Sequence, residues 1–317
     1  MNSLPKFARI SAAAGAVAWL LLLPTVTSDS RETEIIHKVV FFGMLVIVPL
    51  GLSLVPTENE RGGFYRVAVL AQPVAAVPAI ASFFFQTGLL AASLSSAWLI
   101  LSILIALFGL TRFKSRGLYP VAESSIDAGL LYLTVGAGWL VVYRLGIQPF
   151  DYGETIILLT VVHFHFAGFA APIIAGLSGR VLAMRNYPRK MFGISVFAMV
   201  AAMPLVAAGI TFSPWLGFIG ALLISVGLLM LAVLTFGWVL PAVTSLPGRV
   251  LLVIGALSTC VAMVLACLYA YSLATKILII DIPTMALSHG LLNAFGFVTC
   301  SLLAWTVITL HSRSKSL

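Results

Sequence analysis

Charged residues are scarce in this chain. Only 9% of its 317 residues are Asp, Glu, Lys or Arg, whereas about 25% is usual in a soluble domain. Hydrophobic residues make up 61% of the chain, and the mean hydropathy is +1.11. Because so few polar side chains cannot cover a water-facing surface, the composition excludes a soluble enzyme and a disordered chain. It predicts a polytopic membrane protein embedded in a lipid bilayer.

Cysteines and catalytic motifs are also few. The chain has three cysteines, Cys260, Cys267 and Cys300, in apolar runs without disulfide or zinc spacing, which excludes a secreted disulfide scaffold. The sequence contains no Walker loop, no His-Glu-x-x-His helix, no Gly-x-Ser-x-Gly turn and no carboxylate-rich motif for magnesium diphosphate. An ATP-driven pump, a zinc metalloprotease and a prenyl-transferring enzyme therefore lack their usual residues. We predict no metal site from these patterns, which identify no cofactor and leave open whether the protein is an enzyme.

Long apolar runs dominate what is present. A membrane-spanning helix needs about 20 apolar residues, and ten such runs occur. They lie near 8–24, 35–56, 66–85, 88–111, 119–145, 154–179, 190–211, 214–240, 249–273 and 283–310. We therefore predict an all-α transmembrane helical bundle that forms one integral-membrane domain over residues 1–317.

The basic residues predict the orientation of this bundle. The formal net charge is +8 and the isoelectric point is near 9.7, but the basic residues separate apolar runs, so the positive-inside rule explains them better than nucleic-acid binding. Ten helices put both termini on one side, which collects fourteen of the eighteen Lys and Arg residues: Lys6, Arg9, Arg61, Arg66, Arg112, Lys114, Arg116, Arg180, Arg185, Arg189, Lys190, Arg249, Arg313 and Lys315. We expect cytoplasmic termini and a multi-pass location in the cytoplasmic membrane.

The first apolar run has a second interpretation. Lys6 and Arg9 followed by an apolar stretch are also typical of a signal peptide. The sequence after this stretch is a poor cleavage site, which favours a retained helix.

Two histidines lie deep in the sixth predicted helix. His163 and His165 are roughly 13–17 Å from Glu154 by helical rise, close to the middle of the membrane, where ionisable groups are costly and are candidate functional residues. On a regular helix they point about 200° apart and cannot share one metal ion. We expect His165 to line a cavity and His163 to bond to a neighbouring helix. The alternative is two hydrogen-bonded packing histidines.

The tenth predicted helix carries a stripe of polar and small residues. His289, Asn293, Gly296 and Cys300 recur at helical spacing. One interpretation is a close helix contact with a single interhelical hydrogen bond. The other places His289 and Asn293 in the same cavity as the histidines of helix six.

Two carboxylates enter the fifth predicted helix from its cytoplasmic end. Asp127 lies roughly 12 Å deep, so it is either a proton-carrying or ion-coupling group or a buried, protonated hydrogen-bond acceptor. Glu123, one turn earlier, is expected near the interface, where it is solvated or stabilises the helix N-terminus. Arg144 and His37 are secondary candidates, which snorkelling and aromatic belts explain as interface residues.

The cost of burying these groups predicts where they meet. Each ionisable group that faces lipid would cost about 2.5–3.5 kcal/mol at a helix centre, so several such groups should converge. We expect helices five, six and ten to enclose one polar cavity, lined by Asp127, one histidine of helix six, His289 and Asn293.

At these residues the sequence resembles the YndJ-like family of bacterial membrane proteins. The resemblance is strongest in residues 159–169 (LTVVHFHFAGF) and 288–297 (SHGLLNAFGF). Shorter matches lie at residues 48–50, 71–73, 126–127, 138–140 and Arg144. The resemblance spans nearly the whole chain and implies a multi-pass membrane protein, but it supplies no reaction or ligand.

Three functions are open at this point. The first is a transporter or permease, proton-linked, whose titratable groups are Asp127 and the buried histidines; its substrate would be a small molecule or the proton. The second is a membrane-embedded enzyme or redox protein that binds haem or a metal through histidines of separate helices. The third is an accessory subunit whose polar residues only pack helices. The sequence does not indicate an oligomeric state.

Overall fold

A computed structural model of the chain describes residues 3–28 and 30–314. Within these residues ten helices are long and apolar enough to cross a membrane, and no strand occurs. They are α1 Ser3–Leu22, α2 Arg31–Leu54, α3 Gly63–Phe84, α4 Leu89–Arg116, α5 Val121–Leu145, α6 Glu154–Leu182, α7 Arg189–Phe212, α8 Pro214–Ala242, α9 Leu246–Thr275 and α10 Ile282–Ser312. The predicted all-α membrane fold is confirmed. Lys315, counted above among the basic residues, lies outside the described residues.

Polar caps start several of these helices. Ser30 precedes α2 and its hydroxyl accepts from the Thr33 N–H at 3.1 Å. Asp281 precedes α10 and accepts from the Thr284 N–H at 2.8 Å, with a proline in the first turn of the helix. These side chains bond N–H groups that lack a partner within the helix, so each helix begins close to its predicted start.

Helix α4 continues past its predicted end. The sequence places a loop from Thr111, whereas the helix runs to Arg116 and ends at Gly117, whose φ of 72° favours glycine. The prediction that the helix ends at residue 111 is therefore wrong. Arg112 and Arg116, which follow that residue, lie on the helix and are bonded to carboxylates beside it. The extra turn keeps Arg112 and Arg116 on one helical face.

The chain contains two compact units, Met1–Ile173 and Ile174–Leu317. In the first unit α4 packs along α5, and α6 packs against α5. In the second unit α8 packs between α7 and α9, and α9 packs against α10. We call the first of these compact units unit 1 and the second unit 2.

Within the part of the chain that the structure describes, four helices contain π-helical segments, which the sequence did not predict. They are Gly43–Ile47 in α2, Phe164–Ala170 in α6, Thr235–Val239 in α8, and Ala286–Gly290 together with Leu292–Thr299 in α10. Two of these helices carry the histidine motifs. Wider turns of this kind leave carbonyl groups in need of other donors, and the Gln72 amide supplies one by donating to the Met44 carbonyl at 2.9 Å.

Candidate functional site

A cluster of five charged side chains lies at the end of unit 1 that the charge bias predicts to be cytoplasmic. Arg112 and Arg116 are one turn apart near the end of α4, and Glu123 and Asp127 are one turn apart near the start of α5. Glu60 comes from the loop between α2 and α3, where its carboxylate accepts from the Thr57 N–H at 2.8 Å. We call the five charged residues the charge cluster: Glu60, Arg112, Arg116, Glu123 and Asp127.

Arg112 is at the centre of the charge cluster. Its Nε donates to Asp127 Oδ1 at 2.6 Å, its Nη1 to Glu60 Oε2 at 2.5 Å and its Nη2 to Glu123 Oε2 at 2.6 Å. Arg116 donates to Glu60 Oε1 at 2.5 Å and lies 3.3 Å from Asp127 Oδ2. The Arg112 and Asp127 side chains are 1% and 2% exposed, so these charges are almost entirely removed from solvent.

The charge cluster is electrostatically unbalanced. It contains three carboxylates and two guanidinium groups, so its formal charge is one negative unit. Burial raises the pKa of Glu60, but the Thr57 N–H and the charges of Arg112 and Arg116 outweigh burial, and the pKa lies below its ordinary value of 4.5. Glu60 is therefore ionised at neutral pH and holds its position between the two arginines.

The sequence predicted part of this cluster. It singled out Asp127 by its depth, and in the structure that carboxylate contacts two arginines, Arg112 and Arg116. It left Glu123 solvated or at the helix N-terminus, whereas Glu123 is ion-paired with Arg112. Arg112, Arg116 and Glu60 were missed. A pattern in the sequence could have indicated the two arginines. They are four residues apart, as are the two carboxylates that follow them after a short loop, so each pair lies on one face of its helix.

His165 is enclosed by unit 1 and both of its ring nitrogens are bonded. Its Nδ1 donates to the Val161 carbonyl at 2.8 Å, since a carbonyl can only accept, and its Nε2 accepts from the Trp98 indole at 2.9 Å. His165 and Trp98 are both 0% exposed. The ring has neither a free nitrogen nor accessible surface, so these contacts do not support the expectation that His165 lines a cavity, which stays a prediction.

His163 differs from His165 in its exposure and in the bonding of its ring nitrogens. Its side chain is exposed, and its Nδ1 bonds the Leu159 carbonyl of its own helix at 2.7 Å. The predicted bond from His163 to a neighbouring helix is therefore wrong. A carbonyl bond at Nδ1 places the acceptor lone pair of the neutral ring on Nε2.

A second polar cluster lies at the opposite end of unit 1. His37 Nε2 lies 2.7 Å from the Tyr143 hydroxyl, and Arg144 donates to the carbonyls of Ser82 and Phe85 at 2.9 and 2.7 Å. Arg144 is 4% exposed and His37 is 8% exposed, so both side chains are enclosed by protein, and their location at the membrane interface stays a prediction. Arg144 donates to carbonyls at the C-terminal end of α3, where a positive charge interacts favourably with the helix dipole. Beside this cluster is an open cavity of about 350 Å3.

The predicted stripe of helix ten packs in unit 2. His289 Nδ1 bonds the Ala262 carbonyl of α9 at 2.8 Å, and the Asn293 amide lies 3.0 Å from His289 Nε2. A Cβ placed at Gly296 would lie 2.4 Å from the Ser258 hydroxyl, so the two helices approach closely at this glycine. A close helix contact with one interhelical hydrogen bond was the first of the two interpretations of this stripe, and these contacts agree with it.

The predicted site residues therefore have three separate sets of bonding partners. Asp127 bonds the arginines of α4, His165 bonds Trp98, and His289 bonds Ala262 and Asn293. Asp127 and Gly136 are nine residues apart on α5, roughly 13 Å by helical rise, and a Cβ at Gly136 would lie 3.1 Å from His165 Nδ1. Among the described residues no group of three or more His, Cys, Asp or Glu side chains is arranged to hold a metal ion. A single cavity for all four residues stays a prediction.

Comparison with known proteins places the chain in a family. The uncharacterized membrane protein YndJ of Bacillus subtilis is 25% identical over 296 residues, which cover 92% of this chain and 52% of that protein. The chain thus spans about half the length of this relative. No solved structure matches. The family described as YndJ-like protein matches residues 38–297, which include both histidine motifs and Asp127. The chain therefore belongs to the YndJ-like family of membrane proteins.

Proposed function

We propose that this protein is a proton-linked membrane transporter and that its proton site is the charge cluster of unit 1. The observation that carries the proposal is the contact of one buried guanidinium, that of Arg112, with three carboxylates from two different parts of the chain. A packing role needs only one carboxylate for each arginine. Ionisable groups retained in a membrane-spanning segment are functional by default.

The formal charge of the cluster indicates what it exchanges. One carboxylate is in excess over the two guanidinium groups, and a single proton neutralises the excess. Protonation of Asp127 or Glu123 turns an acceptor of Arg112 into a weaker one. It thereby weakens the attachment of α5 to α4 and to the loop that carries Glu60. A local charge change that alters such a contact is the usual basis of a molecular switch.

The surroundings of the cluster provide access for the proton. An open cavity of about 430 Å3 is lined by Glu60, Arg112, Phe64 and Phe108, among other residues. Glu60 has 16% of its side chain exposed, whereas Asp127 has 2%. Glu60 is therefore the carboxylate of the cluster nearest to the solvent of this cavity, and Asp127 is the more enclosed of the two.

The bonding of His165 and His289 does not favour the haem or metal alternative. In His165 and His289 both ring nitrogens are within hydrogen-bond distance of a partner. Metal binding would require each ring to give up one of these bonds. We therefore assign both residues to helix packing.

The test is proton flux through purified protein in liposomes that enclose a pH-sensitive dye, driven by a potassium diffusion potential. Wild-type protein is expected to carry protons, and Asp127→Asn to reduce the rate by at least about tenfold. Glu34→Gln is the matched control, because Glu34 pairs with Lys38 on a partly exposed helical surface of the same unit. Absence of flux in the wild type, or equal flux in Asp127→Asn and Glu34→Gln, would contradict the proposal.

A further inference from the structure

Unit 2 contains a small internal cavity with hydroxyl groups on four helices. Its volume is about 20 Å3. The hydroxyl-bearing residues that line it are Ser178 of α6, Thr235 of α8, Thr259 of α9 and Ser301 of α10. All four residues are at most 6% exposed, so the cavity lies inside the helix packing.

Thr259 distinguishes this cavity from an ordinary packing gap. Its Oγ1 is buried and has no hydrogen-bond partner in the protein. Other threonines in unit 2 donate to the carbonyl four residues earlier, as Thr235 does to Leu231 at 2.8 Å and Thr306 to Leu302 at 2.9 Å. A buried hydroxyl without a partner is costly, and this one belongs to a residue that lines the cavity.

The neighbouring hydroxyls are arranged to accept. Ser178 donates to the Ile174 carbonyl at 2.9 Å, and Thr235 is bonded in the same way to its own helix. Because each of these two hydroxyl groups already donates its hydrogen to a carbonyl, its oxygen can only accept a further hydrogen bond, through its lone pairs. The cavity therefore has a free donor on Thr259 and at least two acceptors.

We propose that the cavity binds one water molecule, which accepts from Thr259 and donates to the hydroxyl oxygens of Ser178 and Thr235. One water needs about 10–15 Å3 of such space and two to four polar partners, and both conditions are met. A monovalent cation would also fit by size, but no lining residue is charged. Burial of an uncompensated charge costs far more than ordering a water molecule.

The consequence is a water-mediated contact among four helices of unit 2. It satisfies the Thr259 hydroxyl without a direct bond between helices. Small changes in helix spacing can then occur without leaving a donor unpaired, because the water can shift with them.

The test compares Thr259→Val with Thr306→Val in detergent-solubilised full-length protein. Valine has the shape of threonine but no hydroxyl. If water occupies the cavity, Thr259→Val removes its donor and lowers the melting temperature by about 2–4 °C more than Thr306→Val. If the cavity is dry, the same substitution removes an unpaired buried hydroxyl, and an unchanged or higher melting temperature would overturn the proposal.

Two further measurements on the wild-type protein do not depend on the variant folding. A density map that resolves other internal waters should show a peak within hydrogen-bond distance of Thr259 Oγ1, and an empty cavity in such a map would refute the assignment. Titration with sodium chloride against choline chloride should leave the melting temperature unchanged. Stabilisation of the wild-type protein by sodium but not by choline would contradict the assignment of the cavity to water.

Discussion

Arg112 is the residue on which the charge cluster of unit 1 depends. Its planar guanidinium offers five donors in a fixed arrangement, and three of its nitrogens each contact a different carboxylate. Lysine has a single compact ammonium group and cannot reproduce this geometry. A buried ion pair that loses one partner leaves an uncompensated charge, which is strongly destabilising.

Arg112→Lys keeps the charge but leaves at least one carboxylate without its donor, so it is expected to lower the stability of the protein by about 1–3 kcal/mol. Thermal unfolding in detergent measures this effect. The control is Lys114→Arg, an exchange of the same two residue types at an exposed position of α4, for which we expect no shift. Equal melting temperatures for the two variants would show that the contacts of Arg112 do not contribute.

Glu60 gives the cluster a defined dependence on pH. Because its pKa in the folded protein is below the ordinary 4.5, ionised Glu60 contributes stability that is fully present above that ordinary value. This contribution is lost as the pH falls through the lowered pKa. Wild type should thus exceed Glu60→Gln in melting temperature at pH 7, and the difference should shrink below pH 4.5. A difference that grows on acidification would have the wrong sign.

At the scale of elements, α6 packs closely against both α5 and α2 in unit 1. A Cβ placed at Gly136 of α5 would lie 2.8 Å from the Phe164 Cβ, and one at Gly43 of α2 would lie 3.3 Å from the Phe166 ring. Both glycines contact the π-helical segment Phe164–Ala170. Small residues allow helices in membranes to approach closely, and the Trp98 indole of α4 also contacts this segment, at His165.

Gly136→Ala should consequently destabilise unit 1, because the added methyl group would overlap with α6. Gly138→Ala is the matched control on the same helix, since a Cβ there has no atom within 4 Å. We expect the control to be neutral or stabilising, as alanine favours a helix over glycine by about 1 kcal/mol. Identical unfolding midpoints would contradict the close contact between α5 and α6.

The π-helical segments explain which part of the site the sequence could not predict. Helix length and hydropathy predict all ten spans, because crossing a membrane requires about 20 apolar residues whatever their neighbours are. The π-helical segments of α2 and α6 have tertiary partners that lie far away in the sequence: Gln72 bonds the Met44 carbonyl in α2, and Trp98 bonds the His165 ring in α6. The arginines of α4 were hidden for another reason: they also fit the charge bias of a cytoplasmic loop, and only the fold brings them to Asp127.

At the scale of the whole molecule, the ten helices and the charge bias together predict cytoplasmic termini. Reporter fusions after Arg116 and Lys190 should read cytoplasmic, and fusions within residues 148–152 should read external. This arrangement puts the charge cluster on the cytoplasmic side and the His37 cluster on the opposite side. An external signal at Lys190 would reverse or break the predicted topology.

The central claim is that the charge cluster binds and releases one proton, and infrared difference spectroscopy across a pH change tests it most directly. Wild-type protein should show a carboxylic-acid band that appears on acidification, from protonation of the excess carboxylate. Asp127→Asn leaves two carboxylates for two arginines, so this band should vanish, whereas Glu34→Gln should retain it. The same band in Asp127→Asn, or none in the wild type, would contradict the account.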